Sequence, residues 1–472
     1  MKHLLFGALA LLLVAGPATA QGRADAENMR LLGYGDLQGR AAAQLAIHQQ
    51  NGRWIAYVGH YGGTQENPKP LDALTRKHED NGTSIVDVTD PRRPHYLHHI
   101  PGAPGIYEQG GAQMVRVCDG KNLPKGNPQK TYLLRSFGNS AHELWDVSNP
   151  AKPELLARIE GVEGTYQNWW ECDTGIAYLV SGTPGWRAHR MTKIYDLGDP
   201  EHPVFIRDFG LVGQQPGSSG PVPADLSGPI STGPKGNRVY FGYGTDRNGI
   251  LEIVDREKLL KGPRDPTPAN LLYPQVGRLD LSALAGAHTL LPLPGMAIAE
   301  FKHDQQATRD FVLVTGEATA NECQEPRQMA WLVDVTQEAT PMVVSSYTPA
   351  EESGDFCTRG GRFGTRASNQ NTTPIYAKRL VFFAAFNAGV RAVDIRDPYH
   401  PIEVAHYIPA VTPRSDPRCA DVAGNKHCVK VIETNDVEVD DRGLVYIVDR
   451  ADNGMHILEL TGEARRIGEF SQ

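Results

Sequence analysis

SIVDVTDPRRP (Ser84–Pro94), LWDVSNPAKP (Leu144–Pro153), KIYDLGDPEHP (Lys193–Pro203) and RAVDIRDPYHP (Arg391–Pro401) repeat one phrase. A short apolar strand ends on Asp, and an Asp-Pro or Asn-Pro turn follows. Looser copies are LEIVDREK (Leu251–Lys258), WLVDVTQEATP (Trp331–Pro341) and MHILELTG (Met455–Gly462). The markers Asp87, Asp146, Asp196, Asp255, Asp334, Asp394 and Glu459 recur every 50 to 79 positions, the signature of one supersecondary unit copied along the chain. The turn has a mechanical reason. An Asp side chain accepts from nearby backbone N–H groups, while Pro fixes φ and ends ladder pairing.

Each copy parses into four strands. In the last, NDVEVD (Asn435–Asp440), LVYIVD (Leu444–Asp449), MHILEL and ARRIGEF are separated by turn residues, with Asn453-Gly454 as one of the turns. Inner strands such as IAYV and LVFFA are nearly all apolar, as expected of strands covered on both faces. Radial four-stranded sheets that close on themselves have protected edges. The predicted fold is therefore all-β: a seven-bladed β-propeller of four-stranded antiparallel blades over 44–102, 111–162, 164–211, 225–280, 286–349, 368–410 and 432–470. The long fourth-to-fifth interval leaves six or eight blades as alternatives. Met29–Leu37 reads as an outer strand without a blade, suited to completing the C-terminal one and locking the ring. Gln65–Asp80 and Leu259–Leu284 break the rhythm as insertions, where propellers carry specificity.

MKHLLFGALALLLVAGPATA combines Lys2, an apolar run and Ala18-Thr19-Ala20. It reads as a signal peptide over 1–20, leaving a single domain over 21–472 that is exported, periplasmic or secreted. No later segment is apolar enough for a membrane span. With 47 basic against 55 acidic residues and net charge −8, nucleic acid is not an expected partner. The six cysteines lack any CxxC pair, and in an exported chain they favour disulfides. Pairing in chain order, Cys118–Cys172, Cys323–Cys357 and Cys419–Cys428, joins neighbouring positions.

The strand-and-turn phrase resembles the LVIVD-repeat family of extracytoplasmic bacterial β-propellers, whose signature is GL-x-IVDVSDP-x-x-P. The resemblance covers nearly the whole chain after the leader. It implies architecture and export more than a reaction. It also implies a GGRFG-x-H-S-x-N-E-N connector whose His and Glu face the channel; in this chain Arg366 and Gln370 stand at those places. A permanent cation and a neutral amide there weaken a metal site or turn the pocket toward an anion.

In a propeller, starts of inner strands and ends of second strands meet at one face. That geometry nominates Trp170, Glu171, His288, Gln370, Asn435 and Asp436 from the former, and His60, Glu317 and Arg450 from the latter, around an axial pocket. His288 and Glu317, with His60 as third ligand, have the chemistry to hold a divalent metal or to act as base and orienter. The bland alternative is a strand-capping hydrogen bond. Trp169-Trp170-Glu171 reads as an aromatic wall or, more simply, as core. Arg362 in the glycine-rich connector suits a carboxylate or phosphate, together with Arg366 and Arg450. His95, His98 and His99 read as solvent-facing. There is no G-x-S-x-G and no phosphate loop. The expected function is a ligand- or protein-binding module of the bacterial envelope, with an unnamed protein or small molecule as partner. The alternative is a metal-dependent oxidoreductase centred on His288 and Glu317.

Overall fold

A computed structural model describes residues 23–299 and 307–470. The proposed leader over 1–20 lies outside them. Four-stranded antiparallel sheets form from 115–159, 168–209, 226–280 and 289–347, and a five-stranded one from 42–112. A nine-stranded sheet consists of two groups that meet at a single pairing, Phe386 with Thr434. Innermost strands abut one another in a closed cycle: Ala42–Gln50, Val115–Asp119, Asn168–Trp170, Leu226–Ser231, Thr289–Ala297, Phe363–Ser368, Thr434–Val439, and back to Ala42–Gln50.

The repeated Asp does what its chemistry predicts. The Oδ1 atoms of Asp87, Asp146, Asp196, Asp334 and Asp394 each accept from the backbone N–H two residues on, at 2.8 to 3.0 Å. Asp255 instead caps the helix Arg256–Lys261 through Lys258 N–H. In each group the outer strand carries a register shift that leaves one apolar residue extra: Leu97, Leu156, Ile206, Val276, Val344, Val404 and Leu32. Every one of these residues packs, half-buried, on an apolar core cluster. Such bulges sharpen strand twist, and each apolar contact is worth roughly 1 kcal/mol.

The N-terminal segment completes the ring. Met29–Gly35 pairs antiparallel with Met455–Leu460 as the outer strand of the last group, and Asp25–Glu27 adds to Ile402–Ile408 beside it. The segment ARRIGEF, expected as the last strand, is instead mostly the helix Gly462–Ile467, because that edge is already occupied. Two further expectations change. The inner strand of the sixth repeat is Phe363–Ser368, inside the glycine-rich connector, so that repeat starts earlier than 368. The 259–284 excursion contains the helix Pro268–Leu272 and the outer strand Gln275–Asp280 of its own sheet.

The disulfides pair in chain order. Cys118–Cys172 ties neighbouring sheets, while Cys419–Cys428 bridges a hairpin of Pro417–Val422 and Asn425–Lys430 that stands apart from the cycle. No helix among the described residues is long and apolar enough to cross a membrane.

Candidate functional site

His288 precedes the inner strand Thr289–Ala297, and Glu317 follows the second strand Thr308–Thr315, so both reach the same end of the cycle. Their side chains touch, Nε2 to Oε2 at 3.1 Å. His288 Nδ1–H donates to the Arg366 carbonyl at 2.9 Å, which leaves Nε2 to accept from the Tyr166 hydroxyl at 2.9 Å and the Gln167 amide at 3.0 Å. Burial pushes the imidazole down to about 4 against the pull of Glu317, so it is neutral at physiological pH.

Burial works to raise the Glu317 carboxyl, but the guanidinium groups of Arg366, Arg362 and Arg450 hold it down at about 2. Its Oε1 lies 3.3 Å from Arg362 and 3.6 Å from Arg450. Arg450 also meets Glu108 at 3.1 Å, and Glu433 receives Arg418 at 3.1 Å. Above this network lies a cavity of about 260 Å³ lined by Tyr61, Glu108, Tyr166, Arg190, Thr245, Glu317, Thr319 and Arg362.

Arg366 lies deeper and is almost completely buried, with Asp436 as ion partner at 3.7 Å. Its Nε and Nη2 have no hydrogen-bond partner. Among its electrostatic neighbours are Tyr61, Tyr166 and Glu317, all of which line the cavity. Deeper again, Arg116 donates to Gln370 Oε1, and Glu438 accepts from the Gln370 and Asn371 N–H groups. Burial raises Asp436 to about 6 and, with Asp436 beside it, Glu438 to about 8. Arg362, Arg366 and Arg450 thus converge on Glu317, with Arg190 on the cavity wall and Glu108 and Asp436 as the facing carboxyl groups. That field opposes a divalent cation at His288 and favours an anion.

The sequence-derived set divides. His288, Glu317, Arg362, Arg366, Asp436 and Arg450 converge at the axis. Gln370 also lies there, but beyond the end of its inner strand rather than at its start. Asn435 donates to the Ala43 carbonyl at 2.6 Å and holds neighbouring inner strands together. His60 is spent within its own sheet, its ring nitrogens engaged by the Ala41 carbonyl and the Ser84 hydroxyl. Trp170 and Glu171 sit at the opposite end, where Asn168–Trp170 turns into the next strand. There Glu171 forms a buried ion pair with Arg256 at 2.6 Å and accepts from Tyr178. Tyr166 and Gln167 hold the position analogous to His288, three residues ahead of the conspicuous Trp-Trp pair that drew the sequence reading. Glu108 and Arg190 come from connectors without a sequence signal. His99, expected at the surface, is buried, with Nδ1 2.9 Å from Glu79 Oε2.

No family model matches the chain, and no curated protein matches it. Among solved structures, Raptor from Chaetomium thermophilum aligns over 94% of this chain and 29% of its own, at 11% identity and TM-score 0.51. Sqt1 from the same organism aligns over 92% of this chain and 99% of its own, at 10% identity and TM-score 0.51. This chain thus spans under a third of Raptor but nearly the whole of Sqt1. At such identity the likeness defines the fold alone: the molecule is a β-propeller, with its charged side-chain cluster on the axis.

Proposed function

We propose that this chain is a seven-bladed propeller of the LVIVD-repeat type, exported to the bacterial envelope, and that it binds an anionic small molecule in its axial pocket. The blade number is supported by the bulges, one per repeat, and by the cycle of inner strands. Export is supported by three disulfides and by the leader-like start. One observation carries the ligand class: Arg366 is buried with two guanidinium nitrogens unpartnered, next to Tyr61, Tyr166 and Glu317, which line a cavity together with Arg190 and Arg362. A buried donor without an acceptor is costly, and a planar carboxylate or a phosphate supplies acceptors in matching geometry. The reading is a binding module rather than a catalyst, because His288 Nε2 already accepts from Tyr166 and Gln167 and Glu317 Oε1 already faces Arg362 and Arg450.

Thermal unfolding with a panel of mono-, di- and tricarboxylates, phosphate and sulfate tests this. A ligand at one hundred times its Kd raises stability by about 2.7 kcal/mol, and R366Q abolishes the rise. A flat response across the panel, or one retained in R366Q, refutes the anion pocket. The 3.1 Å contact of His288 with Glu317 favours one competing reading, a redox-metal site at the axis. Stoichiometric copper or iron that disappears in H288A would establish that reading instead.

A further inference from the structure

The excursion 65–80 of the first sheet folds back onto its outer strand and buries charge there. Asp72 is fully buried, and its Oδ1 accepts from the N–H groups of Leu74 and Thr75 at 2.8 Å. Its other oxygen, Oδ2, is buried without a hydrogen-bond partner. His99, from the strand His95–Pro101, has a side chain with no exposed surface, and its Nε2 is likewise buried and unpartnered. Glu79 bridges the two segments. It accepts from Thr75 Oγ1 at 2.6 Å through Oε1 and faces His99 Nδ1 through Oε2.

Among the described residues this is one place where three such side chains each offer a ligand atom within 4.8 Å of the others. Ions held by imidazole and carboxylate at about 2.0–2.2 Å place their ligands within such a span once the side chains close on the metal. Glu79 Oε2 and His99 Nδ1, 2.9 Å apart, stand close to the spacing of two ligands on one ion, which takes Nδ1 once its proton is displaced to Nε2. Arg40, bonded to Asn81 Oδ1 at 2.8 Å, has both Asp72 and Glu79 among its electrostatic neighbours. The buried Asp72 Oδ2 has no hydrogen-bond partner, and His99 Nε2, also without one, can carry the displaced proton.

We infer that Asp72, Glu79 and His99 form a binding site for a divalent transition metal of the zinc class, which staples the 65–80 excursion to the first sheet. One nitrogen and two oxygen donors suit zinc and its neighbours better than calcium or magnesium. The site is separate from the axial pocket, and its existence does not depend on what that pocket binds.

The test uses the full-length protein, stripped with chelator and titrated with zinc by calorimetry and with cobalt by visible absorption. One equivalent of zinc is expected, with a cobalt spectrum of low coordination number. D72N keeps the Oδ1 acceptor for Leu74 and Thr75, so its fold is retained while its zinc affinity falls at least about tenfold. E79Q is expected to weaken binding in the same sense and serves should D72N misfold. Absence of stoichiometric zinc or cobalt binding overturns the site. So does wild-type affinity in both D72N and E79Q, or a metal lost in E317Q and kept in D72N, which would place the ion on the axis.

Discussion

Ring closure rests on a contact that a single methyl group should break. Gly33 lies in the outer strand that the N-terminal segment lends to the last blade, next to the bulged Leu32. A Cβ at Gly33 would stand 1.9 Å from the Pro91 carbonyl oxygen and 3.3 Å from Arg92 Cα, in the Asp-Pro turn of the first blade. Approaches under 3.0 Å do not occur, and the obstacle is backbone, so strand and turn must separate by more than about 1 Å. Overpacking of this kind costs about 1–3 kcal/mol. Gly35, two residues on, provides the control, because its Cβ would meet Pro94 Cγ at an ordinary 3.7 Å. Gly to Ala at a compatible position stabilises by about 0.4–1 kcal/mol through the unfolded chain. Urea unfolding should therefore place G33A at least 1 kcal/mol below G35A. Hydrogen exchange in G33A should quicken at 455–460 and 84–94 and nowhere else at first. Equal stability of the two variants would refute the reasoning, and with it the idea that this glycine is set by blade-to-blade approach. Gly277 makes the same contact between the fourth and fifth blades, 1.8 Å from the Glu338 carbonyl oxygen, and G277A should behave like G33A.

Three further outcomes follow from buried charge and from cross-links. Glu252 is buried with the Tyr243 hydroxyl as its donor, and burial pushes its carboxyl up to about 7 from an ordinary 4.5. The fold holds that proton more tightly than the unfolded chain does, so this contribution is complete below pH 4.5 and lost as pH rises through 7. It amounts to about 3 kcal/mol, and E252Q should flatten the stability profile over that window; parallel profiles would count against it. E171Q leaves Arg256 buried without its counter-charge and should cost about 3 kcal/mol in denaturant unfolding while the axial pocket stays intact; a near-neutral result would mean that water reaches the pair. Removing Cys118–Cys172 as a double Ser variant opens a loop of 54 positions and should cost about 4 kcal/mol by loop entropy. A loss below about 1 kcal/mol would mean that the unfolded chain is already compact there.

The repeat was legible because its turn chemistry is local: Asp and Pro act within two or three residues, so Asp87 or Asp394 announces its strand end without tertiary help. The bulges also left a mark, an apolar residue three after the second Pro at Leu97, Leu156, Ile206, Val344 and Val404. Which segment supplies the final outer strand was half legible. Met29–Leu37 read as an orphan strand, and the strand found is Met29–Gly35, but ARRIGEF has the same apolar spacing on a short scale, and competition for one edge decides between them. His288 with Glu317 could be paired because both flank strands of one blade. Tyr166, Arg190 and Glu108 could not, since their approach depends on the tilt of separate blades. His99 was misjudged for a related reason: its outer strand is exposed in a bare propeller, and only the 65–80 excursion covers it.

Arg30 and Glu459 are bonded across 429 positions, with the lending strand near the start of the chain and its hosts near the end. As the polypeptide emerges, the first β-segment must wait, edge unsatisfied, until almost everything else has been made. The finished molecule then holds strands 29–35 and 455–460, far apart along the chain, in a single sheet, so separating them shears a ladder of hydrogen bonds. Loss of the last few strands would accordingly strand the first as well, and shortened products should be recognised and degraded rather than accumulate as smaller rings.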